Sequence, residues 1–214
     1  MEAERASQLY AVVEAGEDAL ARLQVALDVA PIASVLIRSA AGASLDAGSA
    51  KPLIDLAQKG NAAALLAGDA QLARTLRADG VHLDAGKDLA AAYEDARGIL
   101  GDRGIVGVDV GISRHDAMTL AEAGADYIAF GAPAHLNDRD KGRVRRDELV
   151  AWWAEIFEVP CVAFDVETGE EAERLTRAGA EFVAVELPAG ATVSATRDLV
   201  AGIAAALSVP ETTG

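Results

Sequence analysis

The stretch Ala123-Gly124-Ala125-Asp126-Tyr127-Ile128-Ala129 returns, lightly altered, as Ala178-Gly179-Ala180-Glu181-Phe182-Val183-Ala184, and Ala78-Asp79-Gly80-Val81 is a shorter version. In each copy a helical stretch stops and an aliphatic run begins. Gly124 and Gly179 stand where a helix needs a left-handed C-cap. Each copy is therefore a helix-to-strand joint, and the rest of the chain reads outward from these joints.

Aliphatic runs bounded by turn signals fall at Leu9–Val13, Val35–Arg38, Ala64–Ala67, Gly80–Leu83, Ile105–Asp109, Tyr127–Gly131, Cys161–Phe164 and Phe182–Glu186. Each is short and nearly all apolar, as a strand buried on both faces of a parallel sheet must be. Between them lie stretches of helical period rich in Ala, Leu, Glu and Arg. They run over Glu17–Val29, Asp46–Lys59, Gln71–Arg77, Leu89–Leu100, His115–Ala123, Asp147–Phe157, Glu170–Ala178 and Val193–Leu207. Thr168 and Glu171 have capping-box spacing. Strand then helix, repeated eight times, predicts a (β/α)8 TIM barrel of α/β class. The alternative, a doubly wound open sheet, needs a phosphate-binding fingerprint after its first strand. Glu14-Ala15-Gly16-Glu17 is not one. The barrel is expected to occupy residues 1–207 as one domain, with 208–214 a C-terminal tail.

Composition narrows the function. The 214 residues carry 19 Lys and Arg against 34 Asp and Glu, a net charge of −15, with 51% hydrophobic and 4% aromatic residues. That charge disfavours nucleic acid and anionic membranes as partners. Cys161 is the single cysteine, which excludes intramolecular disulfides and cysteine-rich zinc sites. The opening MEAERASQ has no apolar core of a signal peptide, and no apolar run reaches ~18 residues. A cytoplasmic protein is the expectation. Trp152-Trp153 marks a possible contact between copies, a homo-oligomer, or one ring packed on the barrel and the other on the surface.

In a TIM barrel the site lies at the C-terminal ends of the strands. This nominates Glu14, Arg38, Asp69, Asp84, Asp88, Asp109, Gly131, Asp165 and Glu186. Asp69, Asp84, Asp109, Asp165 and Glu186 would form an acidic ring with Arg38 as its nearest cation. Such carboxylates suit Mg²⁺ or a pair with split pKa values, or they cap the helices that follow. The segment Pro133–Arg146 carries Arg139, Lys141, Arg143, Arg145 and Arg146, the one basic island. It reads as a mobile lid that clamps phosphate, or as a solvated loop whose arginines pair with neighbouring acids. His135 in this segment is a catalytic candidate, and His82 reads as a packed barrel histidine. Gly190 and Thr192 offer backbone amides at the start of the last helix.

Ala78-Asp79-Gly80-Val81-His82-Leu83, Ile105-Val106-Gly107-Val108, Ala123-Gly124-Ala125-Asp126-Tyr127 leading to Gly131, Val159-Pro160-Cys161-Val162-Ala163 and Ala178–Val185 together resemble the thiamine phosphate synthase and thiazole tautomerase barrels. The resemblance spans about residues 8–207. It implies a Mg²⁺-dependent transferase that joins hydroxymethylpyrimidine diphosphate to a thiazole phosphate, a step of thiamine biosynthesis. Carried over residue by residue, however, the family's site is depleted. Of Gln-x-Arg-x-Lys on strand 2 only Arg38 remains, beside Leu36 and Ala40. The Asn-Asp pair after strand 3 falls on Ala67-Gly68, with Asp69 one place later. Gly-Gln-x-Asp after strand 4 becomes Asp84-Ala85-Gly86-Lys87-Asp88, so Asp69, Asp84 and Asp88 are the candidate Mg²⁺ ligands. The serine after strand 5 falls near Asp109-Val110. Both threonines of Thr-x-Thr-Lys are gone, and Lys141 answers to the lysine. The Gly-Gly that holds the thiazole phosphate becomes Asp165-Val166, and the serine after strand 8 becomes Leu187.

The expectation is a diverged barrel of this kind with a degenerate active site, acting on or binding another small metabolite, phosphorylated or not. Arg38, Lys141, Asp109 and His135 are the catalytic candidates. Arg38, Asp165, Glu186, Gly131 and Gly190 are the ligand-binding ones. The alternatives are a working synthase on shifted ligands and a noncatalytic interaction protein docking through the basic segment.

Overall fold

A computed structural model describes residues 6–40, 43–132 and 138–207. Eight parallel strands close in chain order into a barrel. They are β1 (Gln8–Glu14), β2 (Ile32–Arg38), β3 (Ala63–Ala67), β4 (Gly80–Leu83), β5 (Ile105–Asp109), β6 (Tyr127–Phe130), β7 (Cys161–Ala163) and β8 (Phe182–Leu187). The helices between and after them are α1 (Ala19–Val29), α2 (Ala47–Lys59), α3 (Ala70–Leu76), α4 (Leu89–Leu100), α5 (Arg114–Glu122), α6 (Arg139–Ile156), α7 (Gly169–Arg177) and α8 (Val193–Ala206). The (β/α)8 expectation is met element by element. The tail 208–214 lies outside the described residues.

Strand alternation explains two separate cores. Outward residues such as Leu9, Ala11 and Val13 of β1 pack with the helices. Inward residues fill the barrel: Tyr10 and Val12, Leu36, Leu65, Tyr127 and Ala129, Val162, Phe164 and Ala184. Gly107 on β5 makes room for Tyr127, since a Cβ there would lie 1.8 Å from the phenol ring.

The repeated joint has a physical purpose beyond turning the chain. Its acid accepts a backbone N–H from the first or second residue of the preceding odd strand. Asp79 Oδ2 takes Ala64 N at 2.7 Å, Asp126 Oδ2 takes Val106 N at 2.7 Å, and Glu181 Oε2 takes Cys161 N at 2.8 Å. Gly124 and Gly179 have φ of +96° and +97°, the left-handed caps expected. Thr168 Oγ1 accepts Glu171 N as a capping box requires, but Glu171 reaches Glu167 N instead of the cap residue's own amide.

Most element ends shift by one to three residues, and one boundary differs by far more. Helix α6 begins at Arg139, two turns before the expected Asp147. The basic island from residue 139 onward is therefore ordered helix, which removes it as a loop-borne lid. Its first turns carry few apolar residues because they pack through charge. Arg143 pairs with Glu167, and Arg146, 0% exposed, bonds Asp147 Oδ1 and the carbonyls of Phe164 and Asp165. Residues 133–137, with the candidate His135, lie outside the described residues. The tryptophans divide as the second reading had it. Trp153 is buried and donates to Val159 O, and Trp152 lies beneath the Arg114 guanidinium at 4.5 Å.

Candidate functional site

The C-terminal ends of the strands surround an open cavity of about 690 Å³. Leu36 and Phe164 give it apolar walls. Its polar lining is Arg38 from β2, His82 from β4, Asp84 just beyond β4, Asp109 from β5, Arg139 from α6, Asp165 beyond β7 and Glu186 from β8. Gly131 lies at the rim.

Both cations of this cavity are already engaged. Arg38 hydrogen-bonds Glu186 across the β1 edge, and Arg139 lies 3.3 Å from Asp165 Oδ1. Asp165 is unusual in its backbone, with φ +57°. An L-residue in that left-handed region is disfavoured by roughly 1–2 kcal/mol, and its surroundings hold it there. Its carbonyl accepts from the buried Arg146 at 2.7 Å, and its Oδ2 accepts Ala132 N at 2.6 Å. The carboxylate thus covers a backbone amide at the rim. Gly131 permits this approach, because a Cβ there would meet Asp165 Oδ2 at 3.1 Å.

Asp109 is the most perturbed acid of the site. Burial pushes its pKa up to about 6, against the opposing Gly111 amide bond and with help from the negative charges of Asp84 and Asp165. Burial also raises Asp84, countered in part by Arg38. Near pH 6 Asp109 is at its midpoint, where a carboxyl is both donor and acceptor. His82 goes the other way. Burial, then Arg38, lowers its pKa to about 3, so the ring is neutral.

The remaining expected residues fall elsewhere. Asp69 Oδ1 accepts Leu72 N as the N-cap of α3, and Asp88 precedes α4; neither lines the cavity. Asp84 does. Among the described residues no three His, Cys, Asp or Glu are grouped to hold a metal ion. The expected Mg²⁺ ligands are thus not gathered at one point, although Mg²⁺ needs only one or two carboxylates plus substrate phosphate. Lys141 is 86% exposed, pairs with Asp138 on the outer turn of α6, and is replaced at the mouth by Arg139. Gly190, with φ +73°, is not in the lining. Sequence reasoning missed the hydrogen-bonded partners behind His82, and missed Arg146, whose role depends on contacts far along the chain.

Among the described residues no helix is long and apolar enough to cross a membrane. The family model described as thiamine monophosphate synthase matches residues 9–187. A thiamine-phosphate synthase of Rhodospirillum centenum is 36% identical over 180 residues, 84% of this chain and 79% of that one. One from Erythrobacter litoralis is 47% identical over 116 residues, so the match spans about half of each chain, 53%. Among solved structures, thiamine phosphate pyrophosphorylase from Pyrococcus furiosus superposes with a TM-score of 0.72 at 19% identity, covering 95% of this chain and 96% of that one. Tryptophan synthase of Mycobacterium tuberculosis gives 0.73 at 11% identity, covering 97% and 95%. Those two likenesses speak to the barrel alone. The family model, matched over residues 9–187, and the Rhodospirillum relative, 36% identical over 84% of this chain, make it a member of the thiamine monophosphate synthase family.

Proposed function

We propose that this member of the family has lost the diphosphate-transfer site and binds a small, unphosphorylated polar metabolite at the barrel mouth. The observation that carries this reading is Asp165. Its carboxylate already holds the Ala132 amide and the Arg139 guanidinium, at the strand end where the family's Gly-Gly pair would let a phosphate approach. A phosphate arriving there meets a negative charge seated on the donors it needs. Arg38 is likewise taken by Glu186. Four carboxylates against two guanidiniums make the cavity net acidic, which suits a neutral or cationic ligand with hydrogen-bond donors. Asp109, half protonated near pH 6, would pair with a donor–acceptor edge such as that of an aminopyrimidine.

Calorimetric titration tests this. Hydroxymethylpyrimidine without its diphosphate is expected to bind more tightly than the diphosphate, with or without Mg²⁺. Tighter binding of the diphosphate in Mg²⁺ would overturn the reading. Asp165→Gly removes the resident carboxylate and relieves the left-handed strain. It is expected to gain affinity for inorganic phosphate of roughly tenfold, about 1.4 kcal/mol.

A second reading, a working synthase on shifted ligands, is favoured by the 36% identity to the Rhodospirillum protein across most of the chain. Formation of thiamine monophosphate is its mark.

A further inference from the structure

His82 is 1% exposed, yet it lines the cavity. Its Nδ1 lies 2.8 Å from Tyr127 Oη, which lies 2.9 Å from Tyr10 Oη. All three rings are fixed. His82 stacks on Tyr127 at 5.9 Å and tilts against Phe164 at 5.2 Å, and Tyr10 meets Tyr127 and Phe164 edge-on. Among the described residues Nε2 has no hydrogen-bond partner, and Asp84 Oδ1 lies 4.0 Å from it.

Counting protons sets the direction of this chain. The two phenols and a neutral imidazole bring three N–H or O–H protons to two contacts. If Tyr10 donates to Tyr127 and Tyr127 donates to Nδ1, both phenol protons are used, and the third sits on Nε2, facing the cavity. Reversing the chain leaves the Tyr10 proton without an acceptor inside the apolar barrel, where Tyr10 is 1% exposed. The negative Asp84 beyond Nε2 favours the same tautomer. Protonating the ring would force the reversal, in line with the low pKa of His82.

We propose that His82 is a specificity-determining donor of the cavity, presenting a neutral Nε2–H to an acceptor atom of the ligand, with Tyr127 and Tyr10 as positioning residues that lock its tautomer. The ligand class follows from the neighbours, and this rests on the reading that the mouth takes an unphosphorylated metabolite. A planar polar heterocycle or amide would set a carbonyl oxygen or unprotonated ring nitrogen on His82 and an N–H on Asp84 or Asp109.

Nitrogen-15 spectra of the imidazoles of the full chain test the lock without any ligand. The chain has 3 histidines, so loss of one set of signals in His82→Gln assigns the ring. The expected result is the Nε2–H tautomer with a hydrogen-bonded Nδ1. In Tyr127→Phe, which keeps the ring and loses only the hydroxyl, Nδ1 should move toward the position of a free ring nitrogen. An Nδ1–H tautomer in the wild type, or an unmoved Nδ1 in Tyr127→Phe, overturns the lock. Hydroxymethylpyrimidine is then the probe. It should shift Nε2 and bind roughly fivefold more weakly to Tyr127→Phe, the worth of about one hydrogen bond. Binding seen by calorimetry with Nε2 unmoved overturns the contact while leaving the reading of the mouth intact. No calorimetric binding overturns that reading and the contact with it.

Discussion

Asp109 and His82 face the same cavity with pKa values displaced in opposite directions, and the stability of the protein should carry both. For Asp109 the folded value is about 6 against the ordinary 3.8. Its contribution is therefore full below 3.8 and is lost as pH rises toward 6. For His82 the folded value is about 3 against 6.5, so its contribution is present above 6.5 and is lost as pH falls toward 3. Between about pH 4 and 6 the two slopes oppose each other. Asp109→Asn removes one of them. Urea denaturation of that variant should show stability rising with pH in this window by up to about 1.4 kcal/mol per pH unit more steeply than in the wild type. Parallel profiles would contradict the buried setting of Asp109. Arg38, Asp84, Asp109, Asp165 and Glu186 were legible as residues of the cavity because the C-terminal end of a barrel strand and the one or two residues beyond it open at the mouth whatever their side chains. Arg139 and the Tyr10–Tyr127–His82 chain were not. Arg139 needs α6 to start early, and the phenols lie on strands whose sequence gives no sign of which inward residue meets which.

At the level of elements, the repeated joints and the charged turns of α6 do different work. Asp126 supplies the acceptor for Val106 N at the start of β5 and pairs with Arg97 at 2.6 Å. Asp126→Ala should lose about 1–3 kcal/mol in urea denaturation, the cost of an unmet strand amide. An unchanged midpoint would mean that water serves the amide equally well. Arg146 is the sharper case. Fully buried, it neutralises Asp147 and holds two β7-end carbonyls. Arg146→Met should lose about 3–5 kcal/mol. Arg145→Ala, exposed and, among the described residues, paired only with Glu148, should stay within about 0.5 kcal/mol. The sequence placed these arginines together but could not separate the one that points inward. A run rich in Arg, Asp and Lys lacks the apolar stripe that marks a packed helix face, and two of the acids it packs against, Glu167 and Glu171, belong to α7 and its preceding loop.

For the whole molecule, the barrel was legible because parallel strands covered on both faces have no polar residues to spare. Eight short aliphatic runs with helices between them admit few other closures. The same economy hides function, since the scaffold segments that carry the family likeness sit in strands and joints while the mouth is free to change. The central claim is that this mouth, with Asp165 on the rim amide and both arginines paired, no longer performs the family's transfer. The direct measurement is to incubate the purified chain with hydroxymethylpyrimidine diphosphate, thiazole phosphate and Mg²⁺, and to follow thiamine monophosphate by mass spectrometry. The account predicts no product while an active synthase alongside forms it. Turnover by the wild type, abolished in Arg38→Ala, would show the transfer working on shifted ligands and contradict the account.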